Sequence, residues 1–364
     1  MRLSGRCLLL AMVALLLLAG APLRAQPYSL QNYDRKAGLE SLTITALLQD
    51  RRGFVWAGTE MGLYRFNGGN FERMGVAQGF DKGEYVTTVA QDPHRELLWV
   101  ATQSGLRRGD GMHFTKVEPN GQPLVVDVGR PLVMLDDGRV LLVRNDVLMA
   151  LSGDGRGKDG QGQPWRLQPM FDAAQLAALP ALRRITTAYL AQGRLWLGCG
   201  TAVCSLDASG HGQVVLHGPG QGVPADGWMG MLLDRAGNLW LRGTRHVSVR
   251  LAGATRFTAR DLPESATGVV KDDGRFVEDR QGRVLTTVNH GLARWSDAGW
   301  ALIDSRNGLP DININALMFD TQGSLWLGTY GRGIARWAGY GTVEGWGDVQ
   351  GMQGLPNWSI LRVD

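Results

Sequence analysis

Six histidines, His94, His113, His211, His217, His246 and His290, are the first residues to weigh for acid–base or metal chemistry. None has the spacing of an H-E-x-x-H zinc site, and each reads as a loop or surface residue. No G-x-S-x-G nucleophile elbow and no catalytic Cys–His signature occurs. Glu84, Asp226 and Asp311 could act as acid or base, but no two of them stand in one segment. A lyase or glycosidase would need such a pair to converge. Gly155, Gly157 and Gly160 spell G-x-G-x-x-G. A dinucleotide fingerprint needs a strand before it and a helix opening within it. Here the glycines fall in SGDGRGKDGQGQPW, Ser152 to Trp165, a Gly-rich charged loop. Asp154 and Asp159 in that loop lack the ligand spacing and closing Glu of an EF-hand. The sequence therefore names no catalytic group, no metal site and no cofactor.

What recurs instead is Asp, two residues, Gly, two residues, Trp. It reads Asp50, Gly53, Trp56; then Asp234, Gly237, Trp240; then Asp320, Gly323, Trp326. Weaker copies are anchored on Trp99, Leu141, Trp196 and Leu285, so successive anchors lie 43, 42, 55, 44, 45 and 41 residues apart. Such a period fits either helical repeats or propeller blades. Segments such as FVWAGT, GLYRFN and GIARW are short, aromatic or branched, and bounded by turn residues. With 51 glycines through the chain, helices have little room. The spacing predicts an all-β chain, a seven-bladed β-propeller of four-stranded antiparallel blades spanning residues 26–347. The long step is an insertion near 152–184, whose FDAAQLAALPALRR is the one helical stretch.

The motif has a mechanical reading. Asp accepts turn amides, Gly supplies a positive φ, and Trp fills the space between blades. Its drift supports that reading: Leu190 replaces Asp, Leu285 replaces Trp, and Asp92 to Trp99 carries one residue too many. As a ruler, the motif points to the channel. Seven positions before Asp lie Thr43, Tyr85, Asn313 and Asn357, and five before lie Thr45, Thr87, Met229, Asn315 and Ser359. Strand alternation puts both sets on one face. Six before lie Ile44, Val86, Trp228, Ile314 and Trp358 on the other face, with Trp228 and Trp358 readable also as wedges between blades. The expected ligand-binding set is Thr45, Tyr85, Thr87, Asn313, Asn315 and Trp228; the alternative is a hydrated channel without a ligand.

The N-terminus, MRLSGRCLLLAMVALLLLAGAPLRA, has basic residues, a 12-residue apolar run from Leu8 to Ala19, and Ala25 before Gln26. It reads as a secretory signal peptide over residues 1–25. Arg2, Arg6 and Arg24 are its only charged side chains, so without it the net charge drops from +4 to +1. The basic balance then implies no nucleic-acid partner. Cys199 and Cys204 flank one hairpin turn, placed for a disulfide in an oxidising compartment or for two packed thiols. At the C-terminus, GLPNWSILRVD repeats GLPDININALMFD and stops at Asp364. Residues 348–364 thus begin a further repeat, which either closes the ring or continues in a longer protein; we expect the latter.

ITALLQDRRGFVWAGTEMGLYRFNG, Ile44 to Gly68, and INALMFDTQGSLWLGTYGRGIARW, Ile314 to Trp337, resemble the two-component regulator propeller repeat. The Gly-Leu lead-ins of that repeat correspond to Gly38-Leu39, Gly222-Val223, Gly308-Leu309 and Gly354-Leu355. The resemblance implies a periplasmic, ligand-sensing domain of a bacterial membrane receptor. It implies a second propeller and a transmembrane output domain in a longer parent, a homodimer, and a histidine kinase or diguanylate cyclase as output. A small ligand, such as a glycan fragment, is expected by the same analogy alone. No kinase or cyclase signature occurs in this chain, so no enzyme activity is assigned to it. The competing expectations are a secreted propeller enzyme and an extracellular protein-binding scaffold.

Overall fold

Four short strands follow the first lead-in because turn residues interrupt the chain every few positions. In the first blade they are Ile44–Gln49, Val55–Thr59, Gly62–Phe66 and Phe71–Arg73, hydrogen-bonded in that order. The computed structural model describes residues 30–155, 163–210, 212–266, 274–305, 309 and 313–341. Within them lie seven four-stranded sheets, a seven-bladed propeller with all-antiparallel blades. Residues 1–25 and 348–364, with Asn357, Trp358 and Ser359, lie outside the described residues, as do Gly157, Asp159, Gly160, His211 and Asp311.

The first strands of the other blades are Val86–Gln91, Val133–Met134, Ile185–Ala191, Trp228–Leu233, Phe276–Glu278 and Ile314–Phe319. Those of blades seven, one and two adjoin one another, as do those of blades three to seven, and together they surround the central channel. Blade seven closes the ring. Its fourth strand is Leu30–Tyr33, paired antiparallel with Ile334–Trp337. The sequence reading gave closure by residues 348–364 only as the alternative to a continuing repeat; the strand that pairs with Ile334–Trp337 comes from the other end of the chain. Tyr33 fixes it, lying flat on Trp326 with ring centroids 5.6 Å apart and planes 10° apart.

The core sits in the seams between blades. Ala46, Trp56 and Leu63 of blade one pack on Phe80, Val86, Leu98 and Phe114 of blade two. Tyr64 and Phe71 of blade one pack in turn on Ala316, Trp326 and Ile334 of blade seven. The Gly-Leu lead-in has a steric cause. Gly38 and Gly222 hold φ of +93° and +82°, and a Cβ on either would strike the Phe71 or Phe257 carbonyl, where the chain enters the fourth strand. The residue that follows, Leu39 or Val223, is then driven into the seam, where it is fully buried.

The helical stretch folds as Ala173–Ala178, with Asp172 Oδ1 accepting from the Gln175 amide at 2.8 Å. Cys199 and Cys204 are joined as a disulfide, with Cα atoms 5.9 Å apart. In the ladder Cys199 faces Ala202 and Cys204 faces Leu197, so the bridge runs diagonally across the hairpin.

Candidate functional site

The repeated motif is a clamp within blades one, five and seven. Asp50 Oδ1 accepts from the Phe54 amide at 2.9 Å while its Oδ2 accepts from Trp56 Nε1 at 2.9 Å. Asp234 and Asp320 repeat both bonds with Trp240 and Trp326. Asp50 and Asp320 are almost completely buried, and a buried carboxylate must be satisfied on both oxygens. The side-chain bond escaped the sequence reading, which gave Trp only a packing role. Where blade six has Leu285 instead of Trp, Arg283 Nε takes over and meets Asp279 Oδ2 at 2.6 Å.

The residue before the motif Asp, and the one after it, sew the blades together at this end of the channel. Gln49 of blade one accepts from the Thr321 amide of blade seven at 2.7 Å. Gln91 accepts from the Arg51 amide at 3.0 Å, and Glu278 from the Arg235 amide at 2.9 Å. These are structural ties, and each reaches one blade onward.

A second belt crosses the opposite rim, where the first strands begin. It starts from a β-bulge: the pairing register slips between Ile44 and Ala46, Val86 and Thr88, Ile185 and Thr187, Trp228 and Gly230, and Ile314 and Ala316. Thr45, Thr87, Thr186, Met229 and Asn315 are the inserted residues. An extra residue breaks the alternation of side chains, so positions five and seven before the Asp are not held to one face.

Several members of the expected polar ring are engaged in this belt. Thr45 Oγ1 donates to the Val86 carbonyl of blade two at 2.6 Å. Thr88 Oγ1 donates to the Arg130 carbonyl at 3.1 Å, the Arg130 guanidinium reaches the Thr186 carbonyl, and Thr186 Oγ1 reaches the Trp228 carbonyl. Blades one to five are thereby linked in order. Thr87 is buried, its hydroxyl 3.3 Å from the Ala101 carbonyl of its own blade. Tyr85 is half-buried, and its carbonyl accepts from the Gln103 amide at 3.0 Å. Trp228 is fully buried among Trp196, Val223 and Leu241. It is a wedge in the seam of blades four and five, not a wall of the channel, because its indole has no exposed surface to offer a ligand.

The belt does not engage the side chains of blade seven. Asn313 is exposed and Asn315 half-buried, and among the described residues neither amide side chain makes a hydrogen bond. Tyr330 stands beside them at 64% exposure, its amide donating to the Asn313 carbonyl at 3.0 Å. The amides of Gly331 and Gly333 reach the Leu42 carbonyl of blade one, next to Thr43, at 3.1 and 2.8 Å. Tyr330 was not foreseen, because its place on the hairpin after the second strand is outside the first-strand positions that the ruler measures. The arrangement offers one aromatic face and two amides free to donate and accept, which is the chemistry of a neutral, hydroxyl-rich or amide-rich ligand.

The acids on this rim serve the scaffold. Glu84 Oε1 lies 2.7 Å from Arg107 Nη2, and both are buried. Its Oε2 accepts from the Asp81 amide at 3.1 Å. Asp226 Oδ2 caps a hairpin, accepting from the Arg245 and His246 amides at 2.8 Å each. Each stands eight positions before a motif Asp and braces the hairpin between second and third strands. Among the described residues no group of three His, Cys, Asp or Glu side chains converges as a metal site.

Residues 38–61 and 308–331 match the two component regulator propeller family. A search of curated proteins gives no match. Among solved structures, the extracellular domain of a protein assigned as a hybrid two component system of B. thetaiotaomicron has a TM-score of 0.62 at 19% identity, covering 85% of this chain and 42% of that one. Another, assigned as a one component system of the same organism, has a TM-score of 0.65 at 18% identity, covering 85% and 40%. Catalytically inactive virginiamycin B lyase from Staphylococcus aureus, solved with quinupristin, has a TM-score of 0.60 at 11% identity, covering 85% and 98%. The chain spans about two-fifths of the length of the two extracellular domains. At these identities the likeness shows the fold.

Proposed function

We propose that this propeller is the ligand-sensing part of an extracytoplasmic receptor, and that a small neutral ligand lands where blades seven and one meet. One observation carries the reading. The two segments that match the regulator propeller family are distant in sequence but adjacent in the ring, and the second holds Asn313, Asn315 and Tyr330, whose side-chain groups are unengaged at the channel mouth. A glycan fragment suits that mouth, with a sugar face on Tyr330 and hydroxyls on the two amides. An extracellular or periplasmic location is supported by the fold neighbours and by the disulfide, which persists in oxidising compartments. In a longer receptor the output would be a kinase or a cyclase beyond the membrane, carried on a dimer. Ligand binding would act by favouring one of two arrangements of the propeller.

Thermal denaturation against a panel of oligosaccharides tests the reading. One glycan class should raise Tm in a saturable way. Asn313→Ala with Asn315→Ala, and separately Tyr330→Ala, should remove the rise while leaving the ligand-free Tm within about 2 °C, since these side chains hold nothing in place. An undiminished rise in both variants would remove this mouth as the site.

A further inference from the structure

Across the ladder from the motif Trp, most blades carry an arginine of the third strand. Arg65 faces Trp56, Arg108 faces Trp99, Arg294 faces Leu285 and Arg336 faces Trp326. Arg65 lies 3.7 Å from Glu72 and Arg336 3.3 Å from Asp320. Blade four departs from this. Ser205 faces Trp196 there, and Arg250 of blade five covers the indole, its guanidinium carbon 4.7 Å from the ring centroid.

Around Ser205 the polar groups converge. Arg194 Nη2 donates to Ser205 Oγ at 3.0 Å, and Ser205 Oγ lies 2.9 Å from His217 Nε2. The imidazole is held between Trp196 and Phe257, with centroids 5.1 and 6.0 Å away. Ser205 is 1% exposed, whereas Arg194 opens to solvent. Among the described residues neither Arg194 nor Arg250 makes an ion pair. Asp207, opposite Arg194 in the ladder, has its Oδ1 on the Ser209 amide at 2.9 Å. The seam thus holds one guanidinium at the Ser205 hydroxyl and a second over the Trp196 ring, neither of them in an ion pair among the described residues. The same excess acts on His217, whose pKa is pushed down to about 4 by burial first, then by Arg250 and Arg194.

We propose that Arg194, Arg250, Ser205 and His217 form an oxyanion-binding site in the seam of blades four and five, taking a carboxylate or phosphate group of a small molecule. Arg194 and Arg250 supply charge, Ser205 a hydroxyl donor, and His217 a second donor once it is protonated beside the anion. The site is separate from the mouth at blades seven and one, and it stands or falls independently.

The test uses inorganic phosphate and acetate against chloride at matched ionic strength, pH 6, with NMR titration of the His217 imidazole. At least one of the two anions should raise Tm saturably and raise the His217 pKa by a unit or more. A response to phosphate alone points to a phosphate ester, and to acetate alone, a carboxylate. Arg194→Gln, at an exposed side chain, should weaken the apparent affinity at least tenfold. Arg250→Gln should raise the His217 pKa without any anion and abolish the further rise with it. No response beyond that to chloride, or an equal response in Arg194→Gln, would overturn the proposal.

Discussion

Trp56 Nε1 donates to Asp50 Oδ2 across 2.9 Å, closing a buried ring between the turn and the second strand of blade one. In blade two the extra residue between Asp92 and Trp99 carries the carboxylate away: Asp92 Oδ1 accepts from the His94 and Arg95 amides, and Trp99 Nε1 is buried without an acceptor. Trp56→Phe and Trp99→Phe remove similar surface, but only the first takes a hydrogen bond from a buried acceptor, leaving Asp50 Oδ2 with the Arg52 guanidinium at 3.6 Å. Denaturant unfolding should show a loss of about 2–4 kcal/mol for Trp56→Phe and about 1–2 kcal/mol for Trp99→Phe. Equal losses would mean that the indole acts by packing alone.

Blade six offers the complementary case. The carboxylate of Asp279 is buried, and Arg283 supplies both an amide at 2.9 Å and the guanidinium at 2.6 Å. Arg283→Leu should cost about 2–4 kcal/mol, because Oδ2 loses its partner inside the protein. Arg280→Leu is the control. Arg280 is exposed and donates to the Thr321 carbonyl at 2.7 Å, so its loss should cost under about 1 kcal/mol. If the two variants unfold at the same denaturant concentration, Arg283 does not replace the missing indole.

These bonds mark the limit of what the sequence disclosed. Asp, Gly and Trp repeat because one turn is built many times, so number, order and strandedness of the blades were legible from the period. The ring closure was not, since LQNY carries no motif and its pairing with Ile334–Trp337 is set by the far end of the chain. The polar ring was partly misread for a similar reason. Whether Thr45 is free depends on the Val86 carbonyl 41 residues onward, and the bulge that aims it leaves no mark in composition. Asn313 and Asn315 were named by the same count, and among the described residues their side chains make no hydrogen bond to blade one, the next blade in the direction the belt runs.

The Gly of the second strand is legible only with the neighbouring blade in place. A Cβ on Gly58 would lie 2.7 Å from Val86 Cγ1, whereas on Gly198 it would meet the Thr186 hydroxyl and the Trp228 carbonyl, the latter at 2.6 Å. Gly58→Ala should destabilise by about 1–3 kcal/mol, and Val86→Ala should recover part of that in the double variant, a coupling of about 1 kcal/mol. Gly198→Ala should be at least as costly and resist rescue by Thr186→Ala, because backbone cannot be truncated. Additive losses for the Gly58 and Val86 pair would show that the seam adjusts without the contact.

His217 gives the fold a pH dependence in a window of its own. The unfolded imidazole takes a proton near pH 6.5, but the folded one resists it until about pH 4. Between these values the unfolded state binds more protons, so stability falls as the pH is lowered from about 6.5 to 4 and levels off below. Burial is the main cause and the two arginines add to it, so the full loss should approach about 2–3 kcal/mol at low ionic strength. A carboxylate such as Asp110, held below its ordinary value of 3.8 by the His113 and Met112 amides, loses its contribution only at lower pH. The two effects therefore separate on the pH axis. Tm measured from pH 7 to 4 should drop more steeply for the parent than for His217→Phe, which keeps the contacts with Trp196 and Phe257 but cannot titrate. Parallel curves for the two proteins would place the His217 pKa near its ordinary value and remove the electrostatic argument for the seam.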